Sequence, residues 1–195
     1  MKALESREKK EKKAKRNQLI VAVIMAAILL ASSLGYSFYS KENSGSSTKT
    51  SKYGGYTFIM NENGFWQITL SDLTFMTRFN PSELENISIP ILVNSNTYLD
   101  RPLYLVSFSS SEKEAANEIA RNLGYFPSRI QPSCVEGRQC LADNLPVKNC
   151  TDNVIVLSEN NKTRISREDN CVFIEGENII KSADSFIFKV LGVKK

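Results

Sequence analysis

The chain has 195 residues, with 25 Lys and Arg, 21 Asp and Glu and no histidine, for a formal charge of +4. Without an imidazole there is no Ser-His-Asp triad, no Cys-His pair and no His-bound zinc or haem. The positive charge is also local: the first 16 residues hold eight basic and three acidic groups, which leaves 17 basic and 18 acidic groups on the rest. Such a stub is not the basic face of a nucleic-acid-binding domain, so no nucleic-acid partner is expected.

Residues 1–17 read as a basic cytoplasmic tail. Glu5–Lys9, Glu8–Lys12 and Glu11–Lys15 are Glu-to-Lys pairs at i,i+4, which favour a helix there. No charged residue lies between Arg16 and Lys41. Leu19 to Ala31 is a continuous apolar run, and Ser32 to Tyr39 extends it at lower hydropathy. A helix over 18–39 is long enough for a hydrocarbon core of ~30 Å. Tyr36, Phe38 and Tyr39 would stand at the far interface. The basic flank predicts a cytoplasmic N-terminus, a single pass through the cell membrane, and everything from residue 40 onward outside, with the lipid bilayer as first partner. Two other readings stand beside this one. Ser33-Leu34-Gly35 would serve as the cleavage site of a signal peptide, and an apolar helix after a basic leader is also the plan of a pilin-like or secretion-apparatus subunit. Lys13-Ala14-Lys15-Arg16 makes a poor prepilin processing site.

Residues 40–52 are polar and predict a flexible linker. From Tyr53 onward about 143 residues form one domain, enough to bury a core without metal. Tyr56–Met60 and Phe65–Leu70 flank Asn61-Glu62-Asn63-Gly64 and predict a hairpin. Leu73–Phe79 reads as a third strand, and Asn80-Pro81-Ser82-Glu83 as a short helix start. Ile87–Val93 predicts an edge strand because it contains Pro90, and Leu103–Phe108 a further strand. Ser111 to Glu114 has the spacing of a capping box, opening a helix whose Ala115, Ala116, Ile119, Ala120 and Leu123 share a face and which Gly124 stops. A cysteine-containing loop covers 127–147. Val154–Leu157 and Cys171–Glu175 read as strands, with a short one at Thr163–Ser166 between them. Glu177–Leu191 carries a broad apolar helical face ended by Gly192. Strands outnumber helices and do not alternate strictly with them. The expected class is therefore α+β: a transmembrane helix, a linker, and one mixed-sheet domain (53–195) with two main helices.

Four cysteines, Cys134, Cys140, Cys150 and Cys171, all lie in the expected exterior part. Their even number and placement predict two disulfides. Of three connectivities, Cys134–Cys140 with Cys150–Cys171 is favoured, because it closes a short loop and ties two neighbouring strand regions. The spacings of 5, 9 and 20 intervening residues lack the short knuckles of a zinc site, so no metal is expected. Asn86, Asn149 and Asn161 each head an Asn-X-Ser/Thr triplet and are candidate glycosylation sites. Ser110-Ser111-Glu112-Lys113 contains an S-x-x-K spacing without Ser-Asp-Asn or Lys-Thr-Gly partners. Glu83 with Glu85, and Glu168 with Asp169, are the carboxylate pairs a glycoside hydrolase would need, but they fall where solvated acids are the rule. Trp66 with Tyr56, Phe58 and Phe65 would line a groove or, more simply, pack a hairpin face. No nucleotide loop or calcium loop is present, and no catalytic residue or cofactor is assigned.

The stretches YGGYTFIMNENGFWQITL, FNPSELENI, NCTDNVIVLSENNKTRISREDNCVFIEG and IIKSADSFIFKVLGV together resemble a group of small, membrane-anchored archaeal proteins with an exported cysteine-containing domain. The resemblance covers most of residues 53–195 and carries no established activity, cofactor or catalytic residue. The expected function is therefore binding or structural, at the cell envelope, with an envelope protein or a second copy of the chain as partner. A carboxylate-dependent hydrolase is the weaker alternative.

Overall fold

The computed structural model describes residues 16–29, 49–138, 140 and 144–194. The chain divides into two compact units, Met1–Ser47 and Thr48–Lys195. In the first, residues 16–29 are helical (α1). Leu19, Ile20, Val21, Val23, Ile24, Met25, Ile28 and Leu29 are all exposed on it. Among the described residues no helix is long and apolar enough to cross a membrane. The described 14 residues of α1 amount to about 21 Å at ~1.5 Å per residue. The rest of the expected span, 30–39, lies outside the described residues, as do the basic tail up to residue 15 and the candidate cleavage site at Ser33-Leu34-Gly35.

The second unit is α+β, with two substantial sheets rather than one. The first is an antiparallel meander of β1 (Thr50–Tyr53), β2 (Tyr56–Met60), β3 (Trp66–Leu70) and β4 (Leu73–Thr77). Its turns explain its order. Gly54 and Gly55 both have positive φ between β1 and β2, and so do Ser71 and Asp72 between β3 and β4. Two left-handed residues in a two-residue loop are what the right-handed twist of a hairpin requires. Thr50 to Lys52 therefore belong to β1, not to the linker. They have no apolar alternation, and the Gly-Gly turn and the ladder to β2 are what order them.

The second sheet runs β10 (Arg164–Glu168), β11 (Cys171–Gly176), β9 (Asn153–Glu159), β5 (Pro102–Val106), β6 (Arg129–Pro132). β11, β9, β5 and β6 are mutually parallel, and only β10 runs against its neighbour. α2 (Ser110–Leu123) makes the crossover from β5 to β6, and α3 (Ile179–Val190) follows β11. A two-stranded parallel pair, β7 (Cys134–Val135) with β8 (Val147–Lys148), organises the cysteine-rich segment.

Both helices lie on one face of the parallel sheet. Leu103, Leu105, Ile155, Leu157, Val172 and Ile174 from the strands meet Ala115, Ile119, Leu123, Ala183, Phe186 and Ile187 from the helices. The meander packs on the far side of the helix layer, where Phe58, Trp66, Ile68 and Phe75 meet Phe188 of α3 and Val193 beyond it. Phe58 and Phe188 stack edge to face at 5.6 Å. The outer face of the parallel sheet (Tyr104, Val106, Val154, Val156) is covered by the segment carrying Val135 and Cys150.

Two local expectations shift. Ile87–Val93 forms no ladder with the described residues: Ile89, Ile91 and Val93 are buried and the residues between them exposed, so the alternation is real, but the segment packs against the core flank without strand partners among them. Pro90 has no N–H to give a neighbour. The cap of α2 is Ser109, two residues before the expected Ser111; Ser109 Oγ accepts from Glu112 N–H at 3.1 Å, and Glu112 Oε2 accepts from Ser109 N–H. Glu112 is buried and also accepts from Glu159 N–H at 2.9 Å, a role only a Glu at that position can fill.

Ser71 and Asp72 hold φ of 46° and 69°, a region that disfavours L side chains. Replacing Ser71-Asp72 with Asn-Gly is expected to stabilise the protein by about 1 kcal/mol, or roughly 2–4 °C in Tm for a chain of this size. Thermal unfolding followed by circular dichroism measures it.

Candidate functional site

Three places in the second unit concentrate chemistry. The first is interior. β4 is the last strand of the meander, so its outer edge lacks a strand partner among the described residues. α2 and α3 supply side chains instead. Asn122 Oδ1 accepts from Met76 N–H at 2.7 Å, and Asn122 Nδ2 donates to Met76 C=O at 2.7 Å. Asp184 Oδ2 accepts from Arg78 N–H at 3.0 Å and from Phe79 N–H at 2.9 Å. Asn122 is 1% exposed and Asp184 0%.

Glu118, 2% exposed, stands one helical turn before Asn122. Its Oε2 pairs with Arg121 at 2.6 Å. Burial raises the pKa of Glu118, offset in part by Arg121. Burial, and then the neighbouring Glu118 charge, push Asp184 up to about 8. Glu118 Oε1 and Asp184 Oδ1 find no hydrogen-bond partner among the described residues. A proton on either carboxyl would supply a donor, and burial of both favours the protonated form. Arg78 pairs with Glu114 on the exposed side of this cluster. The arginines also lie over the Phe65 ring, Arg121 at 4.8 Å and Arg78 at 6.0 Å. These two acids are the only carboxylates brought together in the interior among the described residues, and the sequence does not single them out. They sit on helices at positions that look like ordinary polar-face residues; only the second layer packed against that face buries them.

The second place is the outer face of the parallel sheet. The cysteines pair as Cys134–Cys140 and Cys150–Cys171, with Cα separations of 5.4 and 4.9 Å. This is the connectivity that spacing favoured. Tyr104 points into this covered face. Arg129 donates to its hydroxyl at 3.0 Å, and the Lys148 ammonium lies 4.3 Å from its ring centre. The two cations, Arg129 first, hold the Tyr104 phenol below its ordinary pKa, and the phenol in turn raises Lys148. Beside them an open cleft of about 460 Å³ is lined by Val135, Glu136, Arg138, Asn149, Glu168 and Phe173. Arg138 lies over the Phe173 ring at 5.5 Å.

The third is the free edge of β10. A groove of about 390 Å³ separates it from the ladderless segment, with Ser88, Pro90 and Ile91 on one wall and Thr163–Arg167 on the other. Arg167 Nη1 donates to Leu92 C=O at 2.9 Å across it.

The expected site residues are dispersed over these places. Asn86, Asn149 and Asn161 are all exposed. Thr151 donates to Asn149 Oδ1 through both its N–H and its hydroxyl, at 3.0 and 2.6 Å. Glu83 caps its own turn through Asn80, and Glu85 is exposed. Glu168 and Asp169 sit at the β10–β11 turn. Trp66 is core, not groove. Ser111 lines a shallow hollow of about 250 Å³ with Glu114, Glu159 and Glu177, and Lys113 is exposed. Among the described residues no cluster of three or more His, Cys, Asp or Glu side chains could hold a metal ion.

The buried pair gives stability a definite pH dependence. Asp184 titrates near its ordinary pKa of 3.8 when unfolded and near 8 when folded, so the folded state holds the extra proton between those limits. Stability should therefore fall as pH rises from about 4 to about 8 and level off above. Lys194, whose pKa burial lowers, acts with the opposite sign. Asp184→Asn keeps an acceptor for Arg78 and Phe79 and offers Glu118 a donor, so it is expected to flatten the decline. Asn122→Ala leaves Met76 N–H unpaired and Met76 C=O with Arg121 Nη2 alone, at 3.3 Å, and is expected to cost about 1–3 kcal/mol at any pH. Urea unfolding at a series of pH values reads both.

No protein-family model matches the chain, and comparison with curated proteins and with solved structures finds no similar protein.

Proposed function

We propose that the chain is a membrane-tethered binding module whose disulfide-bonded domain lies outside the cytoplasm. The observation that carries this reading is α1: eight large apolar side chains on 14 helical residues, all exposed, directly after a basic stub and within an uncharged run that continues to Ser40. Apolar surface of that extent needs a cover, and a lipid core is the one the flanking charges fit. The two disulfides fit an oxidising compartment. The resemblance to small membrane-anchored archaeal proteins is in keeping with the same topology.

A binding role is preferred to a catalytic one on the disposition of polar groups. The two carboxyls brought together, Glu118 and Asp184, are sealed between layers and hold backbone and arginine, so substrate has no path to them. What the surface does offer is an open cleft beside an arginine–aromatic pair and a strand edge with unpaired backbone. Those are features of recognition.

Alkaline extraction of membranes, protease treatment of intact cells and mass measurement of the mature N-terminus test the reading together. The expected result is an intact chain that stays with the bilayer and loses its C-terminal domain to external protease. A mature start near Tyr36 would replace the tether with a cleaved signal peptide, and one near residue 15 would favour the pilin-like subunit.

A further inference from the structure

Four strand edges border the two main sheets, and they are not alike. β4 is closed by Asn122 and Asp184. β6 is four residues long and ends in Pro132, which has no N–H to give. β1 carries Lys52 and no acid. Among the described residues β10 has no group bonded to its outward N–H and C=O; Ser88, Pro90 and Ile91 stand across a groove from it, bridged by Arg167 to Leu92 C=O, and its sequence, Arg-Ile-Ser-Arg-Glu, carries a cation at one end and an anion at the other.

The hairpin to β11 fixes which groups β10 turns outward. Glu168 faces Cys171 across a two-residue turn, so Glu168, Ser166 and Arg164 point their N–H and C=O inward to β11. Ile165 and Arg167 point theirs outward. No hydrogen bond to those outward groups occurs among the described residues. Arg164 and Glu168 are exposed and have no ion pair among the described residues.

We infer that β10 pairs antiparallel with β10 of a second copy, around a two-fold axis at Ser166. In that register Ile165 and the second copy's Arg167 exchange both backbone bonds, and so do Arg167 and the second Ile165. Four bonds close the edge. Ser166 faces Ser166, and each Arg164 faces the other copy's Glu168 on the same side of the sheet, where directly opposed charges attract. A one-residue slip would lose the outward bonds, and a two-residue slip would set Arg164 against Ser166, so the charges select one register. The interface is isologous, and the two five-stranded sheets become one of ten. Leu92, 90% exposed, lies on the helix side of the same edge, held there by Arg167, and gains a cover from the second copy. The contact is small, so it forms best where copies are confined to one membrane. The inference deepens the binding reading above by naming partner and surface, and it rests on the tether only for that local concentration.

The test uses the full chain in lipid vesicles, native disulfides intact. Ser166→Cys places a thiol on the axis, at a pair that lacks mutual backbone bonds, where Cβ atoms come closest. Under mild oxidation it should yield a covalent dimer, shown by peptide mapping to link the two introduced thiols. Arg167→Cys, one residue off the axis, should yield little. Arg164→Glu and Glu168→Arg should each lower the S166C cross-linking rate about tenfold, because each reversal acts twice per dimer, and the double exchange should restore it. Arg167→Pro, which removes an outward N–H while keeping the inward ladder, should abolish it. Absence of the S166C link, equal linking through R167C, or no recovery in the double exchange would overturn the pairing. A chain that stays with the membrane yet shows no S166C link refutes the pairing alone. A chain that leaves the membrane but still links through S166C supports the pairing and refutes only the tether.

Discussion

The second unit depends on two helix side chains that stand in for a strand. A meander of four strands with one apolar face has little stability alone, and its last edge would carry unpaired backbone. Asn122 presents an acceptor and a donor to Met76, as a neighbouring residue in a ladder would, and Asp184 receives the next two N–H groups, those of Arg78 and Phe79. The meander is thus joined to the helix layer by directional bonds at one edge and by Phe58, Phe75 and Phe188 across its face. Apolar contact alone would permit the sheet to slide over the helices. The buried amide and carboxylate permit one position, because any other leaves them desolvated and unpaired.

Lys194 does the same work at the end of the chain. Its ammonium donates to Leu84 C=O, to Ile87 C=O at 2.7 Å and to Ser185 Oγ at 2.9 Å. It is 8% exposed, and burial lowers its pKa. Three acceptors around one buried cation tie the loop after Leu84 to α3 and to the residues that follow it. Glycine at 192, with φ of 73°, turns the chain so that Val193 and Lys194 can enter the interior. Glu118, Asn122, Asp184, Ser185 and Lys194 form a polar seam through the helix layer, and their satisfied atoms define how three layers stack.

Much of this architecture was legible where the information is local. The meander hairpin, the Asn80 cap, both helices and the paired cysteines follow from turn chemistry, periodicity and count. What was not legible is long-range. Ile87–Val93 alternates as a strand does, yet alternation reports burial of every second side chain and cannot report whether a partner stands within bonding distance. Ser109 and Ser111 both have an acid three residues on, and the deciding contact, Glu112 with Glu159 N–H, comes from 47 residues away. Asn122 and Asp184 occupy the helix positions opposite the apolar stripe, which in a two-layer domain face water. A second sheet reverses that, and Phe188, apolar but outside the stripe that meets the parallel sheet, is the signal in α3 that announces it.

The parallel sheet poses a harder folding problem than the meander, and the Cys150–Cys171 bridge addresses it. β9 and β10 run in opposite directions, joined by residues 160–163, so the local outcome would be a direct hairpin between them. The observed sheet instead inserts β11 between the two, parallel to β9. Local pairings form first, so the hairpin is the natural competitor. Cys150 precedes β9 and Cys171 opens β11, where it lies opposite Val154. A covalent link there sets the starts of the two parallel strands side by side and places Val172 and Ile174 in the core shared with the helices. The far end is set by space: Gly176 closes β11 where an added Cβ would lie 2.4 Å from Ser182 Oγ, and its C=O accepts from Asn160 N–H at 3.1 Å. With both ends of β11 fixed, β10 is displaced to the rim. The exposed edge is therefore a consequence of the insertion, and the oxidised bridge that enforces the insertion is also what keeps that edge available.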